Sequence, residues 1–411
     1  MTALPRRSWP ADAAARVPAW VYTDPDIYRA ELDRIWYGPH WLYVGLECEV
    51  PEVGDFRTTT LGERPVIMVR SDPETVTVVE NRCRHRGVKF CQARSGKADQ
   101  LLCPYHQWSY ALDGSLQGVP FRRGVRRKGG MPADFDPREW GLNRLRVEVA
   151  NGVVWATFSD ATPPFRAYLG ERFWRHYTRV YEGRKMAVLG YNRQRIPGNW
   201  KLMQENIKDP YHAGLLHVFF VTFGLFRADQ KSAVEMDEEG RHGILISRKG
   251  EKEANDVTSG MANFKADLEL ADPRILDVVK EFPGDETVGM ITVFPSVILQ
   301  QQVNSLTTRQ IVPRGPGCFD FHWTHWCYAD DPPEMRTRRT RQANLFGPAG
   351  FVSLDDGEVI EFSQQGLASA PNGFDALVAM GGREVADTDH MVTETAIRGM
   401  YAYWRRVMGI G

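Results

Sequence analysis

Two short motifs, each with one cysteine and one histidine, restrict the possible folds of this chain more than any other feature. They are Cys83-Arg-His85 and Cys103-Pro-Tyr-His106, and seventeen residues separate His85 from Cys103. Two thiolates and two imidazoles can form a closed tetrahedral zinc site or a Rieske [2Fe–2S] centre, in which the cysteines bind one iron and the histidines the other. Zinc sites usually contain paired cysteines, so the mixed pairs favour the Rieske centre. Either site requires two loops that lie side by side.

The sequence around these motifs, residues 39–158, predicts an all-β domain built from hairpins. Two runs rich in β-branched residues are joined by a Ser-Asp-Pro-Glu turn at residues 71–74. Asn151-Gly152 is a second strong hairpin-turn signal. Gly87 permits a sharp backbone turn directly after the first motif. Hairpins of this kind can present two ligand loops next to each other.

A second metal-binding pattern lies between Glu205 and His217. His212 and His217 are five residues apart, and Asp209 precedes His212 by three. Two neutral imidazoles and one carboxylate form the facial triad that binds non-haem Fe(II) and leaves positions open for O₂. On a regular helix a spacing of five places the histidines about 140° apart. They can bind the same metal only if the helix is distorted, and Pro210 is the predicted cause of the distortion. The alternative interpretation is a regular helix with two ordinary polar histidines.

The third ligand of such a triad must come from elsewhere in the chain. An acidic segment supplies Asp355, Asp356, Glu358 and Glu361. Chemistry alone leaves Asp355 and Asp356 as equal candidates. The structural alternative is an acidic helix N-terminus, where aspartate is favoured by the helix dipole and Ser353 would be the cap.

The rest of the chain predicts an α+β fold. Asp24-Pro25 indicates a helix start. Closely spaced strand signals from residue 287 onward predict an antiparallel sheet, and residues 255–276 are predicted to form a flexible lid over a pocket. Helices are predicted at 163–182, from 333 to 346 and from 387 to 408. The predicted domain divisions are 1–38, 39–158 and 159–411.

Composition excludes several classes of protein. The chain has 411 residues and a net charge of −1, so a global basic surface for nucleic acid is absent. The sequence contains neither a run of eighteen apolar residues nor a secretory signal at its N-terminus. Six cysteines are too few for a disulfide scaffold of this size, and thiolate ligands suit a reducing, cytoplasmic compartment. No Gly-x-Gly-x-x-Gly opens a helix after a strand, so the sequence predicts no dinucleotide-binding domain in this chain.

These motifs resemble those of the large (α) subunits of Rieske non-haem iron ring-hydroxylating oxygenases. The resemblance covers almost the whole chain, and it is carried by the two Cys–His motifs and by Asn206-x₂-Asp209-x₂-His212-x₄-His217. It implies an all-β Rieske [2Fe–2S] domain inserted in a helix-grip (START-like) catalytic domain with an antiparallel sheet. The active protein is then an NAD(P)H-dependent terminal oxygenase, which receives electrons through a separate reductase.

The resemblance also assigns roles to individual residues. The implied ligands of the cluster are Cys83, His85, Cys103 and His106. The implied ligands of the mononuclear Fe(II) are His212, His217 and Asp356, because the family pattern Ala-Gly-Phe-x₄-Asp selects Asp356. Asp209 is expected to bridge the iron histidine of one subunit to the Rieske histidine of the next, and Asn206 to lie beside the metal.

Finer sequence features resemble the branch of the family that acts on aromatic carboxylates. Binding such a substrate requires a fixed cation, ideally a bidentate arginine, and the predicted candidates are Arg309 and Arg398. Ile207 and Ala213 are expected to contact the ring. The predicted reaction is hydroxylation of salicylate to gentisate, with dioxygenation of terephthalate or anthranilate as the alternative. A Rieske electron carrier is the alternative of another class, but it leaves the second metal site unexplained.

The family resemblance implies several partners. They are a small β subunit, a reductase with or without a ferredoxin, and further α subunits in an α₃ or α₃β₃ oligomer. Five basic residues between Arg122 and Lys128 are a candidate docking site for an acidic electron donor, because opposite charges steer encounter. A solvated loop or a subunit interface is the alternative interpretation.

Overall fold

A computed structural model describes residues 7–10, 14–126, 128–223, 230–248, 268–350 and 352–411. The chain divides into two compact units. One is Tyr37–Phe165, and the other combines the residues up to Trp36 with those from Arg166 onward. The predicted domain boundaries, after residues 38 and 158, stay a prediction.

The unit Tyr37–Phe165 contains three antiparallel sheets of four, three and three strands. Its hairpins form where the sequence predicts them: Asn151 and Gly152 both have positive φ, 46° and 79°, as a tight two-residue turn requires. The strands are Leu42–Leu46, Asp55–Leu61, Arg64–Asp72, Thr75–Glu80, Ser95–Lys97, Leu101–Leu102, Ser109–Tyr110, Leu116–Gly118, Arg146–Ala150 and Val153–Thr157. Two 3₁₀ turns complete the unit, Glu47–Glu49 and Pro137–Trp140.

The second unit is built on a seven-stranded antiparallel sheet. In spatial order its strands are Met186–Ile196, Phe319–Tyr328, Ser305–Pro313, Val297–Gln302, Glu286–Val293, Gly243–Arg248 and Ser232–Met236. Every residue of Ser305–Pro313 is buried, so both faces of the sheet are covered at its centre. Arg16–Pro18 and Asp375–Leu377 form a separate two-stranded sheet. The predicted α+β class with an antiparallel sheet is confirmed.

Helices surround this sheet. The α-helices are Trp20–Thr23, Pro25–Glu31, Phe165–Leu169, Glu171–Tyr181, Trp200–Lys208, Pro210–Leu216, Val218–Thr222, Pro333–Phe346, Ser353–Ala368 and Thr395–Met408, with a π turn at Leu32–Trp36 and a 3₁₀ turn at Pro273–Leu276. None of the described helices is long and apolar enough to cross a membrane.

Some local predictions need correction. The helix predicted at 163–182 is two helices, because Gly170 between them has a φ of 83°. The last helix begins at Thr395 rather than at residue 387. The helix start at Asp24 is confirmed, since its side chain accepts from the amides of Asp26 and Ile27. Of the predicted lid, residues 255–267 lie outside the described part of the chain.

Candidate metal centres and substrate cavity

The segment that contains both histidines of the second pattern is three consecutive short helices. Asp209 ends Trp200–Lys208 and caps Pro210–Leu216: its Oδ1 accepts from the amides of Tyr211 and His212 at 2.8 and 3.2 Å. Pro210 is the first residue of the new helix, where its missing N–H removes no helical hydrogen bond. The proline therefore starts a helix and does not distort one between the histidines.

The distortion that brings the two histidines together lies at His217 itself. His217 follows the last residue of Pro210–Leu216 with φ −88° and ψ 73°, outside the helical region. Its ring centroid is 5.3 Å from that of His212, in place of the divergence expected on a continuous helix. The prediction that the helix is broken is right, but the cause assigned to Pro210 is wrong.

His212, His217 and Asp356 form a group whose ligand atoms all lie within 4.8 Å of one another. The Oδ1 atom of Asp356 is 3.1 Å from Nε2 of His217 and 3.5 Å from Nε2 of His212. Asn206 donates a hydrogen bond to the same Oδ1 atom at 3.0 Å. Two imidazole nitrogens and one carboxylate oxygen are the donor set that suits non-haem Fe(II), so these residues fit a mononuclear iron.

The electrostatics of the group also favour a cation. Burial lowers the pKa of His212, but the carboxylates of Asp209 and Asp356 prevail and raise it to about 10. Burial raises the pKa of Asp356, yet its hydrogen bonds with His212 and His217 hold it well below its usual value. The group therefore stabilises positive charge at its centre, which a divalent ion can supply in place of a proton.

The structure separates the two aspartates that chemistry alone could not. Both lie in the first turn of Ser353–Ala368, but the side chain of Asp356 is 6% exposed and that of Asp355 is 39% exposed. Asp356 approaches both imidazoles, whereas Oδ2 of Asp355 lies 3.4 Å from Nδ1 of His217. The alternative interpretation with Ser353 as the cap does not hold, because the N-cap is Val352 and no side chain caps this helix.

A cavity extends from this group to the sheet, and we call it the metal cavity. Its lining includes the residues that the sequence analysis proposed, Asn206, Ile207, Asp209, His212, Ala213, His217, Arg309 and Asp356. It also includes side chains that the analysis missed, among them Phe220, Leu245, Met290, Gln300, Gln302 and Phe346. The sequence signal for this lining was the run of three glutamines at residues 300–302 within a predicted strand. Glutamine is mostly exposed in proteins, so a strand that carries several of them in a core sheet indicates a polar cavity.

Arg309 is a buried cation in this cavity. It is 3% exposed, its guanidinium lies 4.9 Å from the ring centroid of Trp323, and Nη2 is 3.5 Å from the sulfur of Met290. Nε has no hydrogen-bond partner among the described residues. Burial lowers the pKa of Arg309 to about 10, although Asp356 opposes this shift. The arginine therefore remains charged at neutral pH.

Arg398 occupies a different environment. It is buried in the last helix, and its guanidinium donates to the carbonyl oxygens of Glu384 and Val378 at 2.9 Å and of Met380 at 3.1 Å. It does not line the metal cavity. Its donors are used by the backbone, so the structure does not bring this predicted substrate residue to the metal group.

The two Cys–His motifs lie on loops with the same backbone geometry. The carbonyl of Cys83 accepts from the amide of Gly87, and that of Cys103 accepts from the amide of Gln107, both at 2.9 Å. Gly87 and Gln107 both have positive φ, 72° and 56°. The motifs thus differ only in the position of the histidine within equivalent turns. The sequence indicated the turn at Gly87, because glycine readily adopts positive φ. It gave no such signal at Gln107.

Within these loops the cysteines are buried and the histidines are not. Cys83 and Cys103 are 2% and 1% exposed and belong to the core of the all-β unit, while His85 is exposed and its ring centroid is 4.6 Å from that of His106. The ring of His85 stacks on Trp108 at 4.8 Å. A pair of thiols on the inside and a pair of imidazoles on the outside fits a Rieske cluster.

A tyrosine that the sequence analysis did not single out supports this site. The hydroxyl of Tyr110 lies 3.2 Å from Sγ of Cys83 and accepts from the amide of Arg84 at 3.1 Å. Burial and the neighbouring sulfur raise the pKa of Tyr110 well above its usual value, so the phenol stays protonated and can donate to a thiolate. Hydrogen bonds of this kind tune the potential of an iron–sulfur cluster.

Comparisons with known proteins agree with both metal centres. Residues 40–128 match the Rieske [2Fe-2S] domain, and residues 171–410 match the catalytic domain of ring hydroxylating alpha subunits. The chain is 56% identical to the large oxygenase component of salicylate 5-hydroxylase from Ralstonia sp., over 98% of this chain and 96% of the relative. It is 41% identical to a terminal oxygenase alpha subunit of terephthalate 1,2-dioxygenase from Comamonas sp., over 98% and 97%.

A solved structure shows the same fold. Naphthalene 1,2-dioxygenase from Rhodococcus sp., bound to indole, superposes with a TM-score of 0.80 over 96% of this chain and 94% of that chain, at 21% identity. The predicted cofactors, a Rieske [2Fe–2S] cluster and a mononuclear iron, are confirmed by the two domain matches. The chain belongs to the α subunits of the Rieske non-haem iron ring-hydroxylating oxygenases.

Proposed function

We propose that this oxygenase hydroxylates an aromatic carboxylate, and that the reaction is the 5-hydroxylation of salicylate to gentisate. One observation supports a carboxylate substrate. Arg309 is buried and lines the same cavity as His212, His217 and Asp356, and its Nε atom has no hydrogen-bond partner in the described part of the chain. A buried cation is stable only when partners compensate for its desolvation. A carboxylate matches a guanidinium in charge and geometry. The choice of salicylate follows the 56% identity to the Ralstonia component.

The proposed ligands follow the geometry of the two centres. His212, His217 and Asp356 hold the mononuclear iron, and the cluster is held by Cys83, His85, Cys103 and His106. When bound, the cluster supplies electrons one at a time and the iron supplies the site at which O₂ is reduced. The protein's part is to position the substrate beside the iron and to keep bulk water out of the metal cavity.

The residues around the iron site divide this task. Arg309 binds the carboxylate and so determines which ring carbon faces the metal group. Ile207 and Ala213 contact the ring from the side of the metal-bearing helices. Asn206 holds the carboxylate of Asp356 through its 3.0 Å hydrogen bond. Asp209 stands beside Nδ1 of His212, at 3.6 Å, and we propose that it bridges to the Rieske histidine of a neighbouring subunit.

The balanced reaction defines what must be measured. Salicylate gains one oxygen atom from O₂ and the other leaves as water, which consumes two electrons and two protons. The experiment is a single turnover in which the reduced, purified protein receives O₂ and salicylate, and the aromatic product is identified by chromatography. Gentisate is the expected product. Protein with the Asp356→Asn substitution is the matched control and should return salicylate unchanged.

Other products would change the proposal. A diol from terephthalate or anthranilate, with salicylate unchanged, would keep the carboxylate site and replace the substrate. These two acids are the second choices because the chain is 41% identical to the terephthalate 1,2-dioxygenase subunit and 40% identical to the large subunit of anthranilate 1,2-dioxygenase. No product from any of the three acids, in protein with full iron content, would refute the role proposed for Arg309.

The proposed assembly follows from the family. The relatives are a large oxygenase component and a terminal oxygenase alpha subunit, and we propose that this chain likewise works with a separate reductase, with or without a ferredoxin, and with a small β subunit. We propose an α₃ or α₃β₃ oligomer in a reducing, cytoplasmic compartment, because a route through Asp209 to another subunit requires at least two α chains. The mass of the complex in solution, measured with and without a co-expressed β subunit, tests this part.

A further inference from the structure

Asp355 and Asp356 are consecutive residues with different surroundings. Successive side chains on a helix diverge by about 100°, so the two carboxylates cannot occupy the same position. Asp356 lies 3.1 Å from Nε2 of His217, and Asp355 lies 3.4 Å from Nδ1 of the same ring. The imidazole of His217 is therefore held between neighbouring carboxylates of one helical turn.

Only one nitrogen of His217 can face the metal group. Nε2 points to Asp356 and towards His212, which leaves Nδ1 for a hydrogen bond. A neutral imidazole carries one N–H, and a carboxylate such as that of Asp355 can only accept. The contact therefore favours the tautomer with hydrogen on Nδ1 and the lone pair of Nε2 directed at the metal position. His217 is 3% exposed, so water can reach this bond only from the side of Asp355, whose side chain is 39% exposed.

The other histidine also has a carboxylate near its Nδ1 atom, but at a longer distance. Oδ2 of Asp209 lies 3.6 Å from Nδ1 of His212, and Oδ1 of the same carboxylate accepts from the amides that begin Pro210–Leu216. The contact between Asp355 and His217 is shorter, at 3.4 Å. Each imidazole of the proposed iron site therefore has a carboxylate behind it, and Asp355 makes the closer contact.

We infer that Asp355 is a positioning residue for the mononuclear iron, which accepts from Nδ1–H of His217 and orients Nε2 towards the metal. The carboxylate also increases the basicity of the imidazole, and thereby its strength as a ligand. This inference rests on the proposed ligands His212, His217 and Asp356. It explains why two adjacent acids are present where the iron needs only one.

The test is the affinity for Fe(II), measured without oxygen by competition with a chromophoric chelator. The protein carries its intact cluster, and the variants are Asp355→Asn, Asp355→Glu and Glu358→Gln. Asp355→Asn should weaken Fe(II) binding by about 10- to 100-fold, and Asp355→Glu should restore most of the affinity. Glu358→Gln removes the same charge from an exposed position one turn further along the helix and should leave the affinity unchanged.

Two additional measurements separate the possible failures. The visible spectrum of the cluster and the Tm should be the same in all variants, because Asp355 and asparagine have the same shape. Unchanged Fe(II) affinity in Asp355→Asn would overturn the inference alone, provided that Asp356→Asn loses the iron. Retention of iron by Asp356→Asn, with loss in Asp355→Asn, would overturn the ligand set and make Asp355 a ligand.

Discussion

The two metal-binding regions of this chain differ most in the exposure of their histidines. In the all-β unit the cysteines are buried, while His85 is exposed on a hairpin loop. In the other unit two of the three proposed ligands are buried, His217 and Asp356 at 3% and 4% exposure, and the side chain of His212 is 22% exposed. An exposed imidazole edge suits a centre that exchanges electrons with other proteins. A buried group beside a cation suits a centre that must bind a charged substrate away from water.

The local structures follow the same division. The cluster loops are short turns tied to the core through Cys83 and Cys103, so their shape is set by local hydrogen bonds. The iron group instead combines His212 and His217 with Asp356, which comes from a helix far along the chain. One centre is built by local structure and the other by tertiary packing. If this division is correct, each centre can be removed without loss of the other.

Removing a ligand should abolish one centre and leave the other intact. Cys103→Ser should lose the visible absorbance and both irons of the cluster, while the mononuclear site keeps its iron. Asp356→Asn should lose the mononuclear iron and keep the cluster spectrum. Product formation should vanish in both. Iron content per chain, with visible and EPR spectra, provides the measurement; loss of both centres in either variant would show that the comparison between independent regions is wrong.

Asp209→Asn should retain both metals but slow product formation by roughly 100-fold, the upper end of the range for carboxylates behind a metal-binding histidine. Asparagine also caps helices well, so Pro210–Leu216 keeps its first turn while the charge beside His212 is lost. Single-turnover kinetics provide the measurement.

Iron analysis and the Tm are the controls for the Asp209→Asn variant. If the mononuclear iron is lost, Asp209 acts as a ligand or in folding. If both metals stay and product forms at the normal rate, no electron route between subunits depends on this carboxylate.

The proposed ligands other than Asp356 could be found from the sequence because their spacing is short and chemically specific, whereas Asp356 was selected through the resemblance to the family. Cys83, His85, Cys103 and His106 need only two turns, and hairpin signals mark that part of the chain. The break at His217 could not be predicted, since no glycine or proline stands there and the backbone conformation depends on tertiary packing. Pro210 was the visible signal and pointed to the wrong residue, because proline is also common at the first position of a helix.

The lining of the metal cavity could be predicted only in part. Ile207 and Ala213 lie close in sequence to the histidines, so proximity alone found them. Met290 and Gln300 reach the cavity because their strands pair in one register, Met290 opposite Gln300, and a shift of either strand by one residue would turn its own side chain to the other face. Such long-range register is not encoded in any local pattern, and neither is the difference between Arg309 and Arg398.

Arg309→Gln should raise the KM for salicylate by roughly 10- to 100-fold, because a hydrogen bond to a charged group contributes about 1.5–3 kcal/mol. Arg309→Lys keeps the charge but not the planar fork and should have a smaller effect. Steady-state kinetics with salicylate and with a phenol that lacks the carboxylate provide the measurement. Equal losses for both substrates would mean that Arg309 does not bind the carboxylate.

Arg398→Gln is the matched comparison for that variant. Its guanidinium donates to three carbonyl oxygens, so the substitution should lower the free energy of unfolding by about 1–3 kcal/mol through unsatisfied buried acceptors. The KM for salicylate should not change. A lower Tm with an unchanged KM would support the structural role of Arg398. A raised KM at an unchanged Tm would instead show that Arg398 contributes to substrate binding.

The basic loop of the all-β unit should have the smallest effect. Arg123, Arg126 and Lys128 are exposed and form no ion pair within the described chain, and Phe121 beside them is 75% exposed. Arg127 lies outside the described residues. If this loop receives an acidic electron donor, the double substitution Arg126→Glu and Arg127→Glu should slow reduction of the cluster a few-fold at low salt, with a smaller difference at high salt.

Stopped-flow reduction of the cluster at several ionic strengths is the measurement for this loop. Arg94→Glu is the control, because Arg94 is an exposed arginine of the same unit outside the loop. It changes the net charge by half as much as the double substitution, so a general effect of net charge would slow the control by about half as much as the loop variant. A salt-dependent decrease in the rate of cluster reduction, seen only in the loop variant, would add a second difference between the two centres. The cluster would then have a charged docking surface for its electron donor, which the buried iron site does not need. An unchanged rate and salt slope would leave the loop as a solvated turn.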